Sequence, residues 1–409
     1  MENHKVNDTN KKNTDNILPI AFIVIIFGIL FASLIAKDVG FSENENRPLA
    51  KFPEVNAKSI SSGQFEKDFE SYTQDHVIFR DQFMRLKTFA DRAMAKRDNG
   101  NVYFGKDGYL FAIEEVDSAG LEKNVKALNI FADAVSEKTS AALDVMIVPT
   151  ATDILGSKLP ESAPVPDQQS ALSMLSRNIK KAEFIDVREE LKSHADEYIY
   201  YKTDHHWTTL GAAYAYTAYL KKAGLRPDAA QDCDSLADYD VTAVSGDFRG
   251  TNYSKAMLAP GGFDRIERFD KKEGGKPVRL IHMDAQGNVI KELAGLYDES
   301  YLSKRDKYSY FLSGNSPLTL ITGGNNKKNE IDKQIENCKG EKNLLVIKDS
   351  FANCFVPFLA EDFDNILLVD LRYYRGNSLK LAEEFSAERI LILYNILNFS
   401  QDTNILRLA

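Results

Sequence analysis

An unbroken apolar segment near the N-terminus sets the strongest limit on how this chain folds. Residues Ile17 to Ala36 read ILPIAFIVIIFGILFASLIA, 20 positions without a charged side chain. A helix of this length is about 30 Å long, which matches the hydrocarbon core of a bilayer. A buried core helix is rarely apolar on every face, and a cleaved signal peptide would carry a small residue where Leu34 stands. The segment therefore predicts an uncleaved transmembrane anchor.

The residues that flank this segment predict its orientation. Three lysines lie within residues 1–16, whereas only Lys37 follows the segment closely, beside Asp38. Positive charge favours the cytoplasmic side, so we expect a short cytoplasmic tail and an extracytoplasmic main domain in a single-pass protein of the cell membrane. A polar stretch with two prolines then predicts a stalk over residues 37–61, followed by the folded domain over residues 62–409.

Composition excludes several classes of protein. Lys and Arg total 51 against 60 Asp and Glu among 409 residues, and no run of five basic residues occurs, so nucleic acid is a poor partner. Cys233, Cys338 and Cys354 are widely spaced without a CxxC pair, which suggests neither a zinc site nor a redox motif. We read them as buried apolar residues, with one disulfide plus a free thiol as the alternative, and we expect no cofactor.

Aromatic residues recur every three or four positions after the predicted stalk, as in a helical region with one apolar stripe. The stripe consists of Phe65, Phe69, Tyr72, His76, Phe79, Phe83 and Leu86. We expect this stripe to pack against the folded domain, and a groove for a partner is the alternative.

Continuous apolar strands alternate with amphipathic helices through the rest of the chain. A hairpin is predicted over Asn101–Phe111, and the strand candidates are Leu143–Pro149, Leu344–Ile347, Ile366–Leu371 and Ile390–Tyr394. Buried strands separated by helices such as Leu121–Val135 are typical of an α/β fold with a parallel sheet covered on both faces. Residues 233–342 are rich in Gly, Asn and Asp with short β runs, and they predict an insertion or an antiparallel extension.

Two polar clusters stand where a parallel sheet collects its functional groups, beyond the strand ends. The first, YYKTDHHWT over residues 200–208, contains Asp204, His205, His206 and the single tryptophan, Trp207. His206 is a candidate general base and Asp204 its orienting carboxylate, because two residues apart in an extended segment puts both side chains on one side. In this interpretation His205 holds the loop or lines the site, and both His205 and Trp207 are candidate substrate-binding residues.

The second cluster ends the apolar run LLVIKDS at Ser350, which precedes an apolar helical stretch from Phe351 to Leu359. A strand that delivers a serine to a helix N-terminus places a nucleophile where developing negative charge is favoured. Oxyanion donors would come from the backbone at Ser350 or Phe351, from Gly314 and Asn315, or from Asn353. Taken alone, Ser350 or Asp349 is as readily a helix cap, and Gly314 with Asn315 a turn.

The stretch YYKTDHHWTTLGAAYAY resembles the signature of the DHHW proteins, which are similar to the SGNH-hydrolase-like alginate O-acetyltransferases. The resemblance spans roughly residues 41–400 and implies a three-layer SGNH-like domain with Asp204, His206 and Ser350 as a catalytic triad. It further implies O-acetyl transfer to a cell-surface polysaccharide through an acyl-enzyme. A membrane-bound O-acyltransferase that passes acetyl groups across the membrane is the implied protein partner.

The sequence leaves three other functions open. A carbohydrate esterase would use the same triad, because water and a sugar hydroxyl can each accept from an acyl-serine. The Asp204-His205-His206 run also resembles the metal-dependent DHH phosphoesterases, although Asp144, Asp153 and Asp186 upstream form no Asp-x-Asp pair. A non-catalytic surface scaffold that keeps the fold is the third alternative.

Overall fold

The computed structural model describes residues 3–45, 47–225, 236–323 and 342–408. These residues form two compact units, Met1–Ala90 and Asp91–Ala409, and each unit is considered by itself.

The N-terminal unit begins with a long helix, α1, over Asn3–Ile35. Within α1, Ile17–Ile35 has a mean hydropathy of 2.9 and none of its residues is buried, so by length and composition it suits a membrane crossing. After α1 come the two-residue strands β1 (Phe41–Ser42) and β2 (Arg47–Pro48) and the helices α2 (Ala57–Ser61), α3 (Gln64–His76) and α4 (Arg80–Ala93).

The predicted aromatic stripe is divided between two helices in this unit. Phe79 adopts a left-handed conformation at φ 61°, which separates α3 from α4. Phe69 and Tyr72 of α3 pack edge-on against Phe52. The α4 part differs from the expected buried stripe, because Phe83 leaves 42% of its surface exposed.

Among the described residues, the larger unit is built on an eight-stranded sheet. Its strands are β5 (Ala142–Val148), β6 (Glu183–Phe184), β9 (Arg279–Met283), β10 (Val289–Ala294), β11 (Leu318–Thr322), β12 (Asn343–Lys348), β13 (Asn365–Val369) and β14 (Arg389–Asn395). Their order in the sheet is β10-β9-β11-β13-β12-β14-β5-β6. Neighbouring strands from β13 through β12, β14 and β5 to β6 are parallel, whereas β11, β9 and β10 join antiparallel. The predicted α/β fold is thereby confirmed.

Both faces of this sheet are covered by helices. The helices described in the larger unit are α5 (Ser118–Lys138), α6 (Ala151–Ile154), α7 (Gln168–Asn178), α8 (Arg188–Ser193), α9 (Thr209–Lys222), α10 (Thr251–Ala256), α11 (Val356–Leu359), α12 (Ser378–Glu384) and α13 (Ile396–Gln401), of which α10 packs on β3 and β4 rather than on the sheet. On β12, Leu344 and Val346 enter one apolar core with α9, while Leu345 and Ile347 enter a second core with α5. This alternation follows from the two-residue period of a strand, and it explains why the buried strands read as uninterrupted apolar runs.

Two antiparallel strand pairs lie outside the main sheet in the part of the larger unit that the structure describes. Strands β3 (Val102–Phe104) and β4 (Leu110–Ala112) pair antiparallel, as the hairpin over residues 101–111 predicted. Strands β7 (Tyr239–Phe248) and β8 (Asp264–Lys271) form a second antiparallel pair outside the main sheet.

The chain after β12 differs from the helix predicted over residues 351–359. Ser350–Cys354 form a 3₁₀ turn, and the α-helix that follows, α11, has only four residues. Pro357 stands in the first turn of α11, the place where a missing backbone N–H is tolerated. Ser350 therefore lies at a tight strand-to-turn junction rather than at the head of a long helix dipole.

Candidate functional site

The loop that carries Asp204 and His206 is a narrow, closed turn. The backbone N–H of Tyr201 donates to the carbonyl of His206 at 3.2 Å, and Tyr200 and Trp207 form an isolated β-bridge. The N–H of Thr208 then donates to Ile199 at 2.9 Å, just before α9 begins. Pairing the two arms of the loop holds residues 203–206 at its tip.

A buried carboxylate in β8 fixes the first arm of this loop. Asp264 accepts from the backbone N–H groups of Lys202 and Thr203, each at 2.7 Å, and from the Thr203 hydroxyl at 2.5 Å. Tyr198 donates a fourth hydrogen bond at 2.5 Å. Burial raises the pKa of Asp264, and these four donors oppose that rise. Nothing in the local sequence pointed to Asp264, which lies about 60 residues after the loop.

The start of α10 holds the Asp204 carboxylate from its other side. The N–H of Thr251 donates to Oδ2 of Asp204 at 2.8 Å, and the Thr251 hydroxyl lies 3.3 Å from the same oxygen. Gly250 allows this approach, because a Cβ atom there would lie 2.1 Å from Cβ of Asp204. Sequence reasoning missed both residues, since no motif surrounds them.

Asp204, His206 and Ser350 form one continuous chain of hydrogen bonds. Nδ1 of His206 lies 2.5 Å from Oδ1 of Asp204, and Nε2 of the same ring lies 2.8 Å from Oγ of Ser350. Asp204 and His206 are only 3% and 5% exposed, whereas Ser350 is half-buried and open to solvent on one side. The two ring nitrogens thus face a carboxylate and a hydroxyl, an arrangement suited to moving a proton from the hydroxyl.

The electrostatics of the site keep Asp204 ionised. Burial by itself would raise the pKa of Asp204, but the adjacent imidazoles and the hydrogen bonds from His206 and Thr251 hold it well below its usual range. Burial, followed by repulsion from His206, lowers the pKa of His205, whose side chain keeps 32% of its surface exposed. Nδ1 of His205 lies 2.7 Å from the Thr251 hydroxyl, so this second histidine braces the loop against α10.

Two aromatic side chains position the histidine and the serine turn. The ring of Tyr308 stacks on the imidazole of His206, with centroids 4.0 Å apart and planes 13° from parallel. Its hydroxyl donates to the carbonyl of Ser350 at 3.1 Å. The indole N–H of Trp207 donates to the carbonyl of Phe351 at 2.9 Å, and the ring is fully buried. Trp207 therefore ties the two polar clusters together, a role that the sequence alone did not distinguish from substrate binding.

Asp349 anchors the serine turn to the neighbouring strand. Its Oδ1 accepts from the N–H of Phe351 at 2.9 Å, so this residue caps the turn. Its Oδ2 accepts from the backbone and side chain of Asn395 at 2.9 and 2.8 Å, and from Asn398 at 2.8 Å. Because Asn395 ends β14, the cap fixes Ser350 relative to the carboxyl edge of the sheet.

The expected oxyanion donors differ in how much of their hydrogen-bonding capacity is already used. The N–H of Phe351 donates to Asp349, and that of Gly314 donates to Phe311 at 3.2 Å. Both groups serve turns in this conformation. Asn315 is exposed, and it is linked to the serine turn through Asn353, whose amide lies 3.3 Å from its oxygen.

A buried lysine holds the two asparagine side chains. Nζ of Lys348 donates to Oδ1 of Asn353 at 2.6 Å and to Oδ1 of Asn315 at 2.7 Å. Burial lowers the pKa of Lys348 to about 8, while Asp370 acts in the opposite direction. Because their oxygens accept from Lys348, the asparagines present N–H groups to other acceptors.

Among the described residues, the ligand atoms of Asp204, His205 and His206 lie within 4.8 Å of one another, close enough to hold a metal ion. Oδ1 of Asp204 and Nδ1 of His206 bond to each other, however, so binding by these atoms would break the hydrogen-bonded chain. Cys354 is a buried free thiol, and burial raises its pKa to about 12. Cys233 and Cys338 lie outside the described residues.

Solved structures of other proteins are similar to this chain. The crystal structure of a DHHW family protein from Eubacterium siraeum is similar at 20% identity and a TM-score of 0.60, over 75% of this chain and 97% of that one. Bacillus cereus PatB1 is similar at 24% identity and a TM-score of 0.60, over 74% and 98%. The O-acetyltransferase domain of Pseudomonas putida AlgJ matches at 15% identity and a TM-score of 0.42, over 74% and 93%.

No curated protein sequence matches this chain. The family model described as DHHW protein, in contrast, matches residues 87–369, and this range includes Asp204, His206 and Ser350. Since the matched range covers more than half of the sequence, the chain belongs to the DHHW protein family.

Proposed function

We propose that this protein is an O-acyltransferase that transfers acetyl groups to a cell-surface polysaccharide, with Ser350 as nucleophile, His206 as general base and Asp204 as the orienting carboxylate. The observation that carries the proposal is the unbroken series of hydrogen bonds from Asp204 through His206 to Ser350. A serine hydroxyl is a weak nucleophile until a base takes its proton, and the base is useful only when its tautomer is fixed.

In the first half-reaction, Oγ of Ser350 attacks the carbonyl carbon of an acyl donor while its proton passes to Nε2 of His206. Asp204 accepts from Nδ1–H of the ring and stabilises the imidazolium that forms. Collapse of the tetrahedral intermediate breaks the bond to the leaving group, which receives the proton from Nε2. The products are an acyl-serine and the free leaving group, and His206 is neutral again.

In the second half-reaction, a sugar hydroxyl attacks the acyl-serine and gives its proton to Nε2 of His206. The ester bond to Oγ of Ser350 breaks, and Oγ recovers the proton from the imidazolium. Negative charge develops twice on the acyl oxygen, and preorganised donors stabilise it. The backbone N–H of Ser350 and the side-chain amide of Asn315, oriented by Lys348, are the donors we assign, with Asn353 supporting Asn315 and Gly314 shaping its turn.

A covalent probe tests the nucleophile. A related structure, Bacillus cereus PatB1, has been solved with a sulfonyl adduct, and 23% of its residues are identical to this chain. We expect a sulfonyl fluoride to add once to the purified full-length protein, on the tryptic peptide that contains Ser350. Adduct formation should be lost in Ser350→Ala and His206→Ala and kept in Ser303→Ala, an exposed serine that bonds only to a turn carbonyl. Labelling that persists in Ser350→Ala would refute the proposal that Ser350 is the nucleophile.

The membrane arrangement belongs to the same proposal. The apolar helix Ile17–Ile35 would anchor the protein with residues 1–16 in the cytoplasm and residues 62–409 outside, beside a membrane-bound O-acyltransferase that supplies acetyl groups. Protease added to intact cells should then degrade residues 62–409 and spare a tag placed before residue 17. A C-terminal part that stays protected until the membrane is opened would contradict this topology.

The choice between transferase and esterase depends on the acceptor. Incubation with an activated acetyl donor and an oligosaccharide should give acetylated sugar that is absent from Ser350→Ala. Release of acetate with no acetylated sugar would favour a carbohydrate esterase with the same triad. If the folded wild-type protein neither releases acetate nor acetylates the sugar, a surface scaffold is favoured.

A further inference from the structure

Helix α4 presents its apolar side chains outward. Phe83, Leu86 and Phe89 are 42%, 62% and 63% exposed, and they recur every three residues along one side of the helix. On the other side, Asp81 accepts a hydrogen bond of 2.5 Å from Asn44, and Thr88 is 1% exposed. A helix in a water-soluble domain normally shows the reverse arrangement.

Basic residues flank this apolar strip on both sides. At 100° per residue, Arg80 and Lys87 lie on one flank of the Phe83–Leu86–Phe89 strip and Arg85 lies on the other. Arg85 and Lys87 are exposed, and Arg80 forms an ion pair of 2.9 Å with Glu45. Long cationic side chains on each flank of an apolar strip can reach lipid phosphates while the strip enters the acyl region.

The start of α4 lies beside the end of the apolar span. The backbone N–H of Ile78 donates to Oγ of Ser33 at 3.1 Å, and Ser33 stands two residues before the end of α1. Phe79, 61% exposed, follows directly. This contact places the first turn of α4 at the level where a helix spanning Ile17–Ile35 leaves the hydrocarbon core.

We propose that α4 is an interfacial helix, which lies on the bilayer that α1 spans and buries Phe83, Leu86 and Phe89 at the boundary between headgroups and acyl chains. The proposal rests on the membrane anchor proposed above, but not on the acyl-transfer chemistry. Lipid is favoured over a protein partner because the strip begins at the membrane level and is bordered by cations, which match the anionic phosphates of a lipid surface.

Site-directed fluorescence with lipid quenchers tests this arrangement. The full-length chain, with Cys233→Ser and Cys338→Ser, is labelled with the fluorophore NBD at Leu86→Cys and reconstituted in vesicles of phosphatidylcholine and phosphatidylglycerol. The remaining thiol, Cys354, is buried. The matched control is Arg85→Cys, one residue away and about 100° around the helix. Both positions are exposed, so neither label disturbs a packed core.

We expect blue-shifted NBD emission at position 86 and several-fold stronger quenching there than at position 85 by lipid carrying a doxyl group at carbon 5. Equal quenching at the two positions, or emission at position 86 that is no bluer than emission at position 85, would overturn the interfacial helix. Extraction with alkaline carbonate in parallel separates this failure from that of the anchor. If the protein resists extraction but NBD at position 86 is not quenched by the lipid, the membrane anchor is supported and the interfacial helix is refuted. If NBD at position 86 is shielded from aqueous iodide but is not quenched by the lipid, protein rather than lipid covers the strip.

Discussion

Gly250→Ala tests whether the position of Asp204 sets the reaction rate. A Cβ atom at residue 250 would lie 2.1 Å from Cβ and 2.3 Å from Oδ2 of Asp204. Real Cβ contacts essentially never fall below 3.0 Å, so the two residues must separate by at least about 0.9 Å. That displacement is enough to break the 2.5 Å hydrogen bond to His206.

A displacement of about 1 Å in a catalytic group costs roughly 100-fold in rate, so we expect kcat to fall by about that factor while KM changes little. Overpacking at this site should also lower the free energy of unfolding by about 1–3 kcal/mol. The assay is hydrolysis of an aryl acetate by the full-length protein in detergent, with urea unfolding measured in parallel.

Gly246→Ala is the matched control, because a Cβ atom at residue 246 meets nothing within 4 Å. This variant should keep the wild-type rate and stability. If Gly250→Ala remains folded and retains the wild-type kcat, the position of the Asp204 carboxylate does not govern catalysis and the reasoning fails.

The other predictions concern single side chains of the site. Asp204→Asn should lower kcat by about 10⁴-fold with the protein folded, because the wrong tautomer of His206 then faces Ser350, and a loss below tenfold in steady-state assays would contradict this role. Tyr308→Phe removes the hydrogen bond to the Ser350 carbonyl but keeps the stack, so kcat should fall only several-fold, whereas Tyr308→Ala should cost far more. Lys348 has a pKa of about 8 in the folded protein against an ordinary value of 10.5. The unfolded chain therefore binds more protons between these pH values, and wild-type stability should rise with pH by about 3 kcal/mol relative to Lys348→Met. If urea unfolding shows that the free energies of unfolding of the two proteins change with pH in the same way, the pKa of Lys348 is not lowered in the folded protein.

Local pattern was sufficient to predict four of the five parallel strands described in the sheet, and only the two-residue strand β6 was not predicted. Apolar runs at residues 143–149, 344–347, 366–371 and 390–394 coincide with β5, β12, β13 and β14 within two residues at each end. They were recognisable because strands buried on both faces have few polar positions in the sequence, here Asp144 and Asp370. Ser350 lies beyond the carboxyl end of β12, where parallel strands gather functional groups. The 200–208 loop instead follows α8, so the contact between His206 and Ser350, 144 residues apart in the chain, did not follow from that rule.

The residues that support the proposed triad could not be predicted in the same way. They lie in the region after residue 233, where no period or motif marks them: Gly250 and Thr251 at the start of α10, Asp264 in β8 and Tyr308 in a 3₁₀ turn. Their contacts depend on how that region folds over the 200–208 loop, which is a long-range packing result. A glycine required by the carboxylate of a distant residue has no local signal.

The turn after β12 was mispredicted for a local reason. The run from Phe351 to Leu359 is apolar enough for a helix, but Asp349 caps a 3₁₀ turn over Ser350–Cys354. Pro357 stands in the first turn of α11, and its missing N–H and its ring keep that α-helix from extending back through the serine turn. The stabilisation of negative charge at Ser350 must then come from individual N–H donors more than from a helix dipole, since four helical residues sum few peptide dipoles. Domain boundaries at residues 37, 62 and 233 stay predictions.

Direct detection of the acyl-enzyme tests most decisively whether Ser350 is the nucleophile that carries the acetyl group. The full-length protein is mixed with an activated acetyl donor, quenched in acid within the first turnover and mapped by mass spectrometry. We expect one acetyl group on the hydroxyl of Ser350, absent from Ser350→Ala and strongly reduced in His206→Ala. An acetyl group found on another residue of an active protein, or turnover that continues in Ser350→Ala, would contradict this expectation.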